Sequence, residues 1–151
     1  MINVFLLLKK LMISWLCFYE KNDYDDADYL YKTLNKASKG FGFKIYEPEW
    51  IEMKNKSRPE DWTDTAEDYI GKNKNKYTFA VFLIGQNDKQ GKLYSHIKKH
   101  SLCTNGYVSQ VVKVETLRKK GVMSICSKIL LQINAKLRGC SYQIQNENYK
   151  K

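Results

Sequence analysis

A chain of 151 residues and 17.8 kDa has room for one domain with a proper core. Its 43% apolar and 28% charged residues argue against a disordered polymer, and no apolar run reaches the roughly 18 residues a membrane span needs. The net charge of +10 is uneven: residues 1–85 hold 13 basic and 13 acidic side chains, whereas residues 86–151 hold 13 basic ones against Asp88, Glu115 and Glu147. A neutral half joined to a basic half predicts a polyanion-binding face, with a solubilising surface as the plainer alternative.

The opening run, Met1 to Phe18, is split by Lys9 and Lys10 and has no basic leader or small-residue cleavage site. Residues 1–13 are therefore expected to be a strand or linker that packs on the domain. Ser14 to Tyr19 is a short apolar run of strand length. Asn22 or Asp23 can cap a helix whose Ala27, Leu30, Leu34 and Ala37 fall at helical spacing, and Gly40 and Gly42 end it. Phe43 to Tyr46 is read as a strand closed by Pro48. A second helix starts near Pro59, with Trp62, Ala66, Tyr69 and Ile70 on its inner face, and Gly71 to Lys76 forms a loop. Tyr77 to Ile84, nearly continuous in apolar residues, is a buried parallel strand. After the polar loop Gly85–Gly91 come a helix over Lys92–Leu102, a strand over Tyr107–Val114 and a long helix over Val122–Leu137.

This alternation predicts an α/β domain: Rossmann-like, doubly wound, with a mainly parallel four-stranded sheet and helices on both faces. Ligands of such sheets bind beyond the carboxyl ends of the strands, here the Gly85–Gly91 loop and the segment around Thr116. Enzyme chemistry finds little footing. Tyr19-Glu20-Lys21-Asn22-Asp23, after the first strand, lacks the glycines of a nucleotide loop, and no Ser/His/Asp or Cys/His arrangement stands out. Cys17, Cys103, Cys126 and Cys140 form no Cys-x-x-Cys pair, which favours a reducing, intracellular setting. His96 and His100 are four apart, but no Glu follows the first and no third ligand is evident. They are expected to be solvated helix side chains.

The basic half carries the candidate site. Tyr94 and Lys98 share a helix face. Gln110 stands near the start of the next strand. On the last helix Ile125, Ile129, Ile133 and Leu137 form an apolar column, and Lys128, Gln132 and Lys136 a polar one rotated away from it. One ring, two ammonium groups and an amide converging on one site suit a terminal phosphate and its base. Any basic helix also shows lysines four apart, so spacing alone leaves both readings open.

Tyr94-Ser95-His96-Ile97-Lys98-Lys99, Val108-Ser109-Gln110-Val111-Val112 and the run Val122 to Leu137, with its Gln132-Ile133-Asn134-Ala135-Lys136-Leu137, together resemble the MID domain of Argonaute proteins, most of all the Piwi clade. The successive intervals along Tyr94, Lys98, Gln110 and Lys136 are 4, 12 and 26. Trp15 to Tyr19, Asp23-Tyr24-Asp25 and Gly40-Phe41-Gly42 resemble the first strand, helix and glycine turn of the same domain. The resemblance implies a MID domain over residues 14–140 and a tail, 141–151, leading toward a PIWI domain of the parent protein. It implies a module that anchors the 5′ end of a piRNA-like guide in RNA silencing, without nuclease activity, in the cytoplasm or nucleus. Tyr94 would stack on the first base and help bind the 5′ phosphate with Lys98, Gln110 and Lys136. Thr116 and Lys128 are further contacts. Gln86, Asn87, Asp88, Lys89, Gln90, Lys92 and Leu93 lie where the family reads the first base, often uridine. Gln132 stands where the Argonaute branch has another lysine, and in Piwi-like proteins that loss goes with a divalent metal at the phosphate; Mg²⁺, with Gln132 as a candidate contact, is the implied cofactor. Arg138 departs from the Lys-Leu-Gly-Gly of the family. The competing reading is a MID-like protein-interaction module with an unused pocket.

Overall fold

The computed structural model describes residues 14–42, 44–72, 76–77, 79–85, 88, 91–104 and 107–136. Four strands form one parallel sheet: β1 (Trp15–Glu20), β2 (Glu49–Met53), β3 (Phe79–Ile84) and β4 (Ser109–Lys113), in the spatial order β2-β1-β3-β4. The helices are α1 (Tyr24–Gly40), α2 (Pro59–Lys72), α3 (Lys92–Lys99), a short α4 (Val114–Leu117) and α5 (Val122–Lys136). The predicted doubly wound α/β architecture is the one observed.

β1 and β3 are central and covered on both sides, which explains their unbroken apolar sequences. Alternation sends Trp15, Cys17 and Tyr19 to one face and Leu16 and Phe18 to the other. The first face is packed by Leu30 and Leu34 of α1 and Ile129, Leu130 and Ile133 of α5. The second takes Trp62 and Ala66 of α2 and Leu93 and Ile97 of α3. Phe18 and Phe82 stack at 4.6 Å within this second layer.

β2 corrects the sequence expectation. The strand lies after Pro48 rather than before it, paired from Leu16↔Glu49 to Glu20↔Met53. Of the predicted strand, Ile45 is buried and the Tyr46 carbonyl accepts the Trp15 indole N–H at 2.7 Å, so this stretch is a pinned connection. The strand was hidden by Glu49 and Glu52, exposed carboxylates that suit an edge. Proline, lacking an N–H, is tolerated just ahead of such a strand. Two boundaries also shift. α2 runs through Gly71, and α3 passes after Lys99 into a wider π-type turn, His100–Thr104.

The histidines are interhelical ties rather than solvated side chains. His96 Nε2 lies 2.9 Å from the Thr63 hydroxyl of α2. His100 is buried, with Nδ1 3.1 Å from the Tyr107 hydroxyl and Nε2 3.6 Å from Glu67. Cys17 and Cys126 are buried thiols that burial pushes up to about 12 and about 11, and Cys103 is exposed; all three are free. Residues 1–13, Leu137, Arg138, Cys140 and the tail 141–151 lie outside the described residues.

Candidate anion-binding site

β4 is an edge strand, so α3 on one face and α5 on the other approach each other across an uncovered edge. Period-two alternation then serves both helices from consecutive residues: Ser109 turns toward α3 and Gln110 toward α5. Lys98, in the last turn of α3, donates to the Ser109 carbonyl at 3.3 Å. Lys136, the last residue of α5, donates to the same carbonyl at 3.0 Å and to Gln110 Oε1 at 2.7 Å. An ammonium group can only donate, which fixes the Gln110 amide: its oxygen faces Lys136 and its NH₂ donates to Gln132 Oε1 at 3.0 Å.

Helix carboxyl ends carry partial negative charge and welcome cations. The two ammonium groups nevertheless repel, and among the described residues neither forms an ion pair. Burial first, and the Lys98 charge second, pull the Lys136 amine down to about 8. Each ammonium has three N–H donors, so hydrogen bonds to Ser109 and Gln110 leave donors on both for a ligand. The arrangement is short of one thing, negative charge.

Tyr94 stands one turn before Lys98, whose ammonium is 6.0 Å from the ring centroid, at the outer limit of a cation–π contact. The tyrosine remains 43% exposed, so its ring is open to stacking. Tyr94, Gln110, Thr116 and Gln132 line one cavity of about 260 Å³, with Ile125 and Ile129 as its apolar wall. The structure thus brings together Tyr94, Lys98, Gln110, Gln132 and Lys136, with Thr116 at the far end of the cavity. Lys128 is exposed one turn before Gln132.

The base-reading segment is more divided. The Asp88 carboxylate accepts the Leu93 and Tyr94 backbone N–H groups at 2.8 and 3.2 Å, capping α3 in front of Gly91, whose φ of 65° suits glycine. Leu93 is buried in the core, and Lys92 lines a separate crevice. Gln86, Asn87, Lys89 and Gln90 lie outside the described residues. The expectation that the ligand sits beyond strand carboxyl ends is corrected for the cations, which meet at the amino end of β4. Sequence reading missed Ser109, because its contribution is a main-chain carbonyl that any residue would supply, and Ser101, whose hydroxyl lies 2.8 Å from that of Ser109.

The fold is a Rossmann-like α/β domain, and two lysines with no ion pair among the described residues meet at its sheet edge. The family model described as the Piwi domain matches residues 79–151. Piwi-like protein 1 of Danio rerio is 29% identical over 133 residues, which is 87% of this chain and 15% of that protein. Among solved structures, Drosophila Piwi superposes with a TM-score of 0.73 at 23% identity, over 82% of this chain and 16% of that one. The Aa-Ago structure with externally bound siRNA gives 0.65 at 19% identity, over 89% and 20%. The N. crassa QDE-2 AGO MID domain gives 0.53 at 16% identity, with 82% of this chain covering 98% of that domain. Together these likenesses support an Argonaute-family MID/Piwi region, with Piwi-like proteins among its relatives.

Proposed function

We propose that this domain anchors the 5′-phosphorylated end of a single-stranded small guide RNA. The observation that carries the reading is the pair of lysines from opposite sheet faces sharing the Ser109 carbonyl, with no carboxylate partner among the described residues. Lys98, Lys136 and the Gln110 amide bind the phosphate, and Tyr94 stacks on the first base. Charge-assisted hydrogen bonds of about 1.5–3 kcal/mol each and stacking of about 1–3 kcal/mol give such a site useful affinity. The match to the Piwi domain over residues 79–151 and a structural neighbour carrying an externally bound siRNA support RNA as the polyanion. In this reading Thr116 and Lys128 meet the strand further on, Gln86, Asn87, Lys89 and Gln90 are assigned to recognition of the first base, uridine among the candidates, and a PIWI domain of the parent protein completes the site. The role is anchoring, not cleavage.

Magnesium needs a separate judgement. Gln132 offers one amide oxygen, already accepting from Gln110, whose own oxygen accepts from the Lys136 ammonium. A hard dication prefers several oxygens, carboxylates among them, and the described residues contain no group of three or more metal-binding side chains. The protein donors alone do not fit a resident Mg²⁺, so any magnesium arrives with the phosphate. Chelation with EDTA should leave thermal stability of the free protein unchanged; a clear drop contradicts this.

Titrating RNA with and without a 5′ phosphate tests the function. Preference for the phosphorylated strand, lost in Lys98→Ala and Lys136→Ala, is the expected result. Equal binding of both strands refutes it and favours a protein-interaction module with an unused pocket.

A further inference from the structure

Two like charges at one carbonyl push each other apart, and here they ride on helices from opposite faces of the sheet. Some part of the frame must therefore hold α3 against β4. After Lys99 the helix does not stop but widens into the turn His100–Thr104. A π-type turn inserts a residue, so the side chains within it point where an α-helical continuation would not send them. Here it lays two neighbouring side chains on the entry to β4. His100 Nδ1 lies 3.1 Å from the Tyr107 hydroxyl, a phenol that burial keeps neutral. Ser101 Oγ lies 2.8 Å from Ser109 Oγ, and the two residues are 1% and 4% exposed.

The direction of the second link follows from its neighbours. Ser101 Oγ is 3.2 Å from the Lys98 carbonyl, which can only accept, so Ser101 donates there. The Ser109 hydroxyl then donates to Ser101 Oγ. Ser109 is thereby held twice: its hydroxyl by the turn that follows Lys98, its carbonyl by both ammonium groups. The chain Lys98 carbonyl, Ser101, Ser109, Lys98 ammonium closes on the residue where it began.

We propose that Ser101 and the Ser109 hydroxyl form a positioning pair for the anion site, fixing the carboxyl end of α3 against the start of β4 so that Lys98 and Lys136 meet at one carbonyl. Neither side chain touches the anion. The proposal rests on the functional reading above only for what the anion is; the positioning itself concerns the free protein.

The test uses the 151-residue chain with Ser101→Ala, Ser109→Ala and the double variant. Two quantities are read: the titration midpoint of the Lys136 ammonium by NMR without ligand, and the affinity ratio of 5′-phosphorylated to 5′-hydroxyl RNA. Each single change should move the midpoint up by about one unit and cut the ratio about tenfold, the equivalence that one unit implies. The double variant should be no worse than either single one, because both delete the same link. Ser109→Ala removes only a donor from a small side chain, so it keeps the test open should Ser101→Ala fail to fold. Variants that lose thermal stability while the Lys136 midpoint and the affinity ratio stay at wild-type values overturn the proposal and leave the pair a packing role. If wild-type protein itself shows no preference for a 5′ phosphate, the guide reading fails, and the midpoint alone decides on positioning.

Discussion

At the carboxyl ends of β1 and β3, where α1 and α3 leave for opposite faces, lies a crevice of about 530 Å³ edged by Glu20, Lys56, Gly85 and Asp88. Along the edge of β4 lies the smaller cavity of Tyr94, Gln110 and Gln132, with Lys98 and Lys136 meeting at its Gln110 end. Shape and topology favour the first as a ligand site. Charge favours the second. Burial and the Asp23 charge raise the Glu20 carboxyl at the crevice, burial and Asp26 raise the neighbouring Asp23, Asp88 is occupied capping α3, and the nearby Arg118 pairs with Asp26. At the β4 edge Lys98 and Lys136 have neutral acceptors among the described residues. A fold therefore offers several ligand positions, and the choice among them for a polyanion is made by which one holds unpaired positive charge.

The largest effect expected comes from removing that charge. Lys98→Ala and Lys136→Ala should each weaken binding of a 5′-phosphorylated strand by roughly ten- to a hundredfold in fluorescence titrations, from about 1.5–3 kcal/mol per charged hydrogen bond. Glu20→Gln at the crevice, combined with Asp23→Asn beside it, should leave that affinity unchanged. A crevice variant as damaging as the lysine variants would erase the distinction between the two regions.

Tyr94→Ala should cost about five- to a hundredfold for a nucleoside monophosphate, the value of one stacked base, while Tyr94→Phe stays near wild type. Isothermal titration with both variants checks that the ring, not the hydroxyl, does the work; a large loss in Tyr94→Phe would move the phenol onto the phosphate.

Proton linkage sharpens the comparison further. With the folded Lys136 amine at about 8 and its unfolded value in the ordinary lysine range, the unfolded chain binds more protons between them. Stability of the free protein should therefore rise with pH above about 8, and phosphate affinity should fall over the same interval as Lys136 loses its charge. Thermal melts and titrations from pH 7 to 10 read both, and Lys136→Arg should flatten the affinity curve. The raised Glu20 and Asp23 carboxyls act in the acid range instead: the charged form is the disfavoured one, so Asp23→Asn should raise the melting temperature at neutral pH.

The smallest effect belongs to the turn after α4. Lys119→Ala and Lys120→Ala should weaken phosphorylated and unphosphorylated strands alike, each reducing the salt slope by about 0.7 if it meets one phosphate. Salt titration of both strands separates this general field from the anchored end.

Much of this was legible in the residues. Continuous apolar runs exposed β1 and β3, and helical spacing exposed α1, α2 and α5. Tyr94, Lys98, Gln110 and Lys136 were legible as a set through the family resemblance, since spacing alone leaves an ordinary basic helix equally open. β2 was not legible, since an edge strand shows water half its residues and Glu49 and Glu52 break the apolar signal. The His96 and His100 ties depend on Thr63 and Tyr107, partners distant in sequence or beyond an unforeseen turn. The Ser109 carbonyl had no signal at all, because a main-chain acceptor leaves no mark on residue identity.

The most direct measurement is residue-resolved chemical-shift mapping of the 151-residue chain titrated with UMP. The account predicts shifts centred on Tyr94, Lys98, Gln110 and Lys136, with Glu20 and Lys56 undisturbed. Shifts centred on Glu20, Lys56 and Gly85 instead would contradict it, placing the nucleotide in the crevice and leaving the paired lysines without their anion.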